Sequence, residues 1–123
     1  MKKLFKELPE AVQKNLIYIK SFREYSMQGA NLMGADLSGA NLEGANLRGA
    51  NLSGARLIFT RLRDANLFCA NLEECDLRFS NLSGAKITGA NFYGAKITGA
   101  NFLGAISDNR YTVHRKTNKS LNL

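Results

Sequence analysis

The sequence predicts an all-β solenoid, a coil of very short strands joined by tight corners, and three observations carry that prediction. Every fifth residue from Phe22 to Phe102 is apolar, seventeen positions in succession: Phe22, Met27, the leucines from Leu32 through Leu82, then Ile87, Phe92, Ile97 and Phe102. Two residues before each stands a small residue, usually Ala, as at Ala30, Ala35 and Ala40. All eleven glycines lie two residues after one of these apolar centres. Neither a helix nor a flat strand has a period of five.

The chain opens on a different pattern. Leu8, Val12, Leu16 and Ile19 recur at spacings of four, four and three, as on one face of an amphipathic helix. Pro9 suits the first helical position, where its missing N–H does no harm. The spacing predicts a short capping α-helix over residues 9–18, within an N-terminal segment 1–19.

Within each five-residue unit, the small residue and the apolar centre are two apart and face the same side of an extended chain. The residue between them, mostly Asn or Asp, faces the other side. A type II turn needs positive φ at its third residue, where Gly carries no steric penalty. Each unit is therefore a minimal strand followed by a corner, and repeated corners of one sense close the chain into stacked coils. Thr60, Cys75 and Ser80 replace Ala at inner positions and are small enough to fit. Lys20 and Tyr25 are not, so the first coil should be irregular.

Units such as Ala-Asn-Leu-Ser-Gly and Ala-Asn-Leu-Glu-Gly resemble the pentapeptide-repeat family, whose consensus is Ala-(Asp/Asn)-Leu-x-x. The likeness covers residues 20–104, roughly 70% of the chain. It implies a right-handed quadrilateral β-helix with four units per coil, so seventeen units make a little over four coils. The expected organisation is an N-terminal segment 1–19, a β-helix 20–105, and a C-terminal cap or tail 106–123. In the last of these, Ile106, Tyr111 and Val113 could lay a strand across the final coil, while residues 115–123 are polar. A partner covering that end, including a second copy in an end-to-end homodimer, is the competing expectation.

Composition narrows the setting. No apolar run is long enough to cross a membrane. The opening Met-Lys-Lys-Leu-Phe-Lys-Glu is basic but lacks the apolar stretch a signal peptide needs, which points to the cytoplasm. Two cysteines are too few for a disulfide scaffold. Cys75 points inward and Cys69 sits at an outward corner, so no bridge between them is expected.

The net charge of +7 divides unevenly. Residues 1–20 carry five Lys and two acids, and residues 106–123 carry four basic residues and one acid. Residues 21–105 carry eight basic and seven acidic residues, so the tower is nearly neutral.

Four units per coil place residues twenty apart in one column. Asp36, Arg56, Asp76 and Lys96 then alternate in sign up one face, and Arg23, Glu43 and Arg63 do so on the next. Asn31, Asn51, Asn71 and Asn91 form a third column, whose amides could bond to one another up the stack. From Phe59 through Asp64, Cys69, Glu74 and Phe79, the corner glycine is replaced five times running. Phe59 and Phe79 fall side by side, with Ile58 adjacent and Arg56 and Arg78 as polar flanks, while Phe68 points outward elsewhere. Large apolar side chains outside a polar tower mark a contact surface. The structural alternative is that non-glycine corners use a different turn, with the two rings shielding each other.

Catalysis finds no residues to carry it. The single His, His114, lies in the tail, no Cys/His cluster has metal-ligand spacing, and the glycines form no phosphate-binding loop. No enzyme, cofactor or metal is expected. The resemblance implies two functional classes. One is a non-enzymatic, bacterial protein–protein interaction or scaffold module with an unknown protein partner. The other is a DNA-mimicking inhibitor of DNA gyrase or topoisomerase of the quinolone-resistance type, which the neutral-to-basic charge disfavours. Direct nucleic-acid binding lacks the interleaved basic and aromatic residues it needs.

Overall fold

The computed structural model describes residues 3–4 and 25–107. Strand β1, Lys3–Leu4, pairs in parallel with β2, Tyr25–Ser26, with Lys3 opposite Tyr25 and Leu4 opposite Ser26. That offset is two residues longer than the coil that follows, whereas Ser26, in the unit of Tyr25, already pairs with Asn46 at the regular twenty. Beyond β2 each strand shrinks to a single bridging residue, joined in parallel to the residue twenty further on. Four columns result: Asn31–Asn51–Asn71–Asn91, Asp36–Arg56–Asp76–Lys96, Asn41–Arg61–Asn81–Asn101, and Ser26–Asn46–Asn66–Lys86–Ile106. The molecule is a four-sided β-helix.

One unit shows how the backbone is satisfied. The Leu52 N–H donates to the Asn71 carbonyl at 2.7 Å, the Gly54 N–H to the Glu73 carbonyl at 2.8 Å, and the Asn71 N–H to the Ala50 carbonyl at 2.9 Å. Each corner is closed by the inner residue's N–H donating to the centre three residues back, as Ala55 does to Leu52 at 3.0 Å. The residue between them has positive φ, 66° at Gly54, as a type II turn requires. The Asn or Asp of most units adds a second brace. Asn71 Oδ1 accepts from the Glu73 N–H at 3.0 Å, and Asn31, Asn51 and Asn91 do the same for their own corners. The column of asparagines therefore spends its carbonyl oxygens on local turns, because the corner N–H two residues on is nearer than the next coil's amide.

The core is as thin as the repeat requires. Centres from Met27 to Phe92 are buried, and Ala, Thr60, Cys75 and Ser80 fill the space between them. Thr60 Oγ1 donates to the Leu37 carbonyl at 2.8 Å and Ser80 Oγ to the Leu77 carbonyl at 2.6 Å, so neither hydroxyl is buried unpaired. Burial pushes the Cys75 thiol up to about 12, which keeps it protonated and inert. The repeat predicts near-complete burial of the centres from Leu32 through Ile97, and this fails at its end. Ile97 and Phe102 are only partly buried, because they belong to the last of the described coils. Phe92 and Phe102 meet edge to face across that coil, with ring centroids 5.9 Å apart.

The expected helix over 9–18, with Lys20, Phe22 and Arg23, lies outside the described residues, as do Tyr111, Val113, His114 and the polar tail 115–123.

Candidate interaction surface

The five replaced corners keep the same turn. Phe59, Asp64, Cys69, Glu74 and Phe79 hold φ between 56° and 60°, and each corner still closes by the same hydrogen bond, Ser80 to Leu77 at 3.0 Å for example. The structural alternative of a different turn at these corners is thereby excluded. The backbone hydrogen bonds to the coils above and below leave the corner no other path. A side chain in this region costs about 1–2 kcal/mol relative to glycine, so the sequence carries that strain five times in one and a quarter coils.

On the Asp36 face, the replaced corners bring all five candidate residues together. Arg56, Ile58 and Phe59 lie in one coil, and Asp76, Arg78 and Phe79 lie in register with them in the next. Arg56 and Asp76 are paired in parallel through the backbone, and the Phe59 N–H donates to the Arg78 carbonyl at 3.1 Å. The Phe59 and Phe79 rings stack with centroids 5.2 Å apart and planes 16° from parallel. They shield one another only in part, since Phe59 remains 64% exposed and Phe79 53%. Ile58 is half-buried and Arg56 exposed.

The flanking charges are not equivalent. Asp76 accepts the Arg78 guanidinium through both oxygens, from Nε at 2.8 Å and Nη2 at 2.7 Å. These bonds from Arg78 hold the Asp76 carboxyl below the usual carboxylate range against the opposing effect of burial, with Lys96 adding a weaker pull. The same pairing raises Arg78. Arg56 makes no such side-chain pair within its own unit. In the neighbouring column, Glu43 pairs with Arg61 at 2.9 Å, and Arg63 lies 3.7 Å from Asp64.

Phe68, another outward aromatic, is half-buried beneath the Arg48 guanidinium, 4.6 Å from its ring centroid. Met33, Leu103 and Ile106 are also exposed. Sequence reading passed over Met33 and Leu103, because each occupies a variable position that any residue type can fill. Cys69 is exposed and Cys75 buried, both as free thiols. Among the described residues, no group of three or more His, Cys, Asp or Glu side chains could hold a metal ion. No helix among them is long and apolar enough to cross a membrane.

Stacked five-residue units of this geometry define a β-helical repeat protein. The pentapeptide repeats family model matches in eight copies over residues 30–67 and 65–104, and the chain belongs to that family. Solved structures agree. The pentapeptide repeat protein Rfr23 from the cyanobacterium Cyanothece 51142 superposes with a TM-score of 0.69 at 35% identity, covering 72% of this chain and 59% of that one. The protein alr5209 from Nostoc PCC 7120 does so at 0.65 and 35% identity, covering 73% and 76% of the two chains. HetL, a protein of Nostoc sp. PCC 7120 involved in heterocyst differentiation regulation, gives 0.65 at 35% identity, covering 69% of this chain. The chain thus spans about three fifths of Rfr23 and 41% of HetL. No curated protein sequence matches it. The fold is the right-handed quadrilateral β-helix of these relatives.

Proposed function

We propose that the chain is a non-enzymatic protein–protein interaction module that engages its partner through the Asp36 face, centred on Phe59 and Phe79 with Ile58, Arg56 and Arg78 around them. The stacked, exposed phenylalanine pair carries this reading. Two large apolar rings stand in water on backbone that disfavours any side chain, and a partner pocket would bury them. Contacts of this kind, an aromatic centre with an arginine rim, dominate binding energy at protein interfaces. We further place the module in the cytoplasm, where the exposed Cys69 thiol would stay reduced.

The experiment is affinity capture from the cells of origin with the wild type and with F59G/F79G side by side. The expected result is a protein retained by the wild type and lost by the folded double variant. Retention by both would move the site elsewhere, with the basic segments 1–20 and 106–123 as the next candidates.

Gyrase inhibition by DNA mimicry remains the second reading, and charge weighs against it. Residues 25–107 carry seven basic and six acidic side chains, whereas a DNA mimic needs a strongly negative surface. A supercoiling assay with stoichiometric protein is expected to show no inhibition, and inhibition at low micromolar protein would overturn that expectation.

A further inference from the structure

The charged column beside the phenylalanine pair reads the same when it is turned upside down and its signs are exchanged. From the first coil to the fourth it runs Asp36, Arg56, Asp76, Lys96. Two such faces can meet about a two-fold axis that lies in the interface, perpendicular to the tower and halfway between the coils of Arg56 and Asp76. Heights are then reversed, while each column stays opposite its own counterpart. Asp36 comes to face the copy's Lys96, and Arg56 the copy's Asp76, so every position in the column meets the opposite sign. The same operation sets Phe59 against the copy's Phe79 and Phe79 against the copy's Phe59. The flat corners Gly39 and Gly99 fall opposite one another at the edges.

The geometry points to a second copy of this chain as the occupant of the Asp36 face, in an antiparallel, two-fold face-to-face pair with four phenylalanine rings at its centre. This rests on the reading of that face as an interaction surface and names the partner. A closed pair of this type uses one patch twice, and self-complementarity is what such symmetry demands. Among the described residues, no other column alternates in this way beside exposed aromatics. The Asn31 column carries no charge, and the Asn41 column has Arg61 where its reversed partner is Asn81. A parallel pair about an axis running up this column would set Asp36 against Asp36 and Lys96 against Lys96. Arg78 meets the copy's Ile58, on whose apolar surface its side-chain stem can lie while its head stays with Asp76.

The contact is small. Four coils at ~4.8 Å make a face roughly 20 Å tall and a single unit wide, which belongs with weak, reversible interfaces. A dissociation constant on the order of 100 µM is expected at low salt, rising as salt screens the exposed Asp36–Lys96 pairs.

Sedimentation equilibrium of the purified chain tests this, with D36K, K96D, the double variant D36K/K96D, and F59G/F79G, each checked for folding by circular dichroism. Arg56 and Lys96 already occupy the Asp36 position in other coils, so the fold accommodates a base there. D36K alone sets two lysines against each other twice in the pair, and K96D sets two aspartates likewise. Each should weaken dimerisation about tenfold, given the modest strength of single exposed pairs. The double variant, and a mixture of the two single variants, should recover the wild-type constant, and F59G/F79G should remain monomeric. If F59G/F79G does not fold, the charge variants decide alone. A wild type that stays monomeric to ~1 mM, or a dimer unaffected by D36K and K96D, overturns the inference. If that monomer still captures another protein through Phe59 and Phe79, only the self-pairing fails. If it captures none, the interaction reading fails with it.

Discussion

The ring of Phe79 lies over Gly99, so that a Cβ added to that glycine would stand 2.5 Å from Phe79 Cδ1. The relationship recurs around the tower. Cys69 leans over Gly89 in the same sense, with Asp64 over Gly84 and Glu74 over Gly94. Each replaced corner thus covers a glycine twenty residues on, and Phe59, whose successor is Phe79, stacks on it instead. The corners at Gly29, Gly34, Gly39, Gly49 and Gly54 have open space where a Cβ would go. Two kinds of glycine corner follow: one required by φ alone, the other by φ and by the side chain above it.

Gly99→Ala should therefore destabilise more than Gly39→Ala, although φ is 71° at one and 72° at the other. Both incur about 1–2 kcal/mol for the left-handed backbone, and Gly99→Ala adds about 1 kcal/mol of overpacking against Phe79. Urea unfolding of both variants checks the difference. Adding Phe79→Gly to Gly99→Ala should remove the excess, and equal costs at the two sites would show that Phe79 yields freely.

Cys69→Gly should stabilise the fold by about 0.5–1 kcal/mol, since relief of the strained φ exceeds the entropy glycine gains in the unfolded chain. A higher midpoint in thermal unfolding is the expected outcome. A lower one would mean that packing of Cys69 over Gly89 outweighs its strain.

Core truncation should depend on height in the stack. Leu62→Ala, in a buried central coil, should cost about 2–5 kcal/mol. Ile97→Ala should cost less, because Ile97 is only partly buried. Denaturant midpoints at constant slope give both values.

Acid should weaken the tower partly through Asp76. Its folded pKa is depressed below the usual 3.8, chiefly by hydrogen bonds from the Arg78 side chain. A depressed carboxyl contributes stability that is present above its unfolded pKa and lost as pH falls through the folded value. Stability measured from pH 5 down to pH 2 should fall less steeply in Asp76→Asn than in the wild type. Parallel curves would show that the pair with Arg78 is too exposed to matter.

The period of five made the β-helix and its twenty-residue register legible before any coordinate, because backbone pairing repeats with the sequence. The pairing of Phe59 with Phe79 followed from register alone. The lock between Arg78 and Asp76 did not, since it depends on one side chain folding back within its own unit rather than reaching along the column. Nor did the asparagine oxygens' commitment to their own corners. The left-handed φ at Phe59 was concealed for a related reason: residue preference argued for a new turn, while hydrogen bonds to two neighbouring coils held the old one. Lys3 and Leu4, paired two residues out of the repeat's step, lie where the sequence has no periodicity to read.

Site-specific photo-crosslinking in the cells of origin decides whether this tower makes its contacts through the Asp36 face. A crosslinker is placed at Thr98 on that face and, separately, at Thr88 on the opposite face of the same coil. Adducts are expected from position 98, with a second copy of the chain or with another protein, and none above background from position 88. Adducts from position 88 alone, or equally from both, would contradict it.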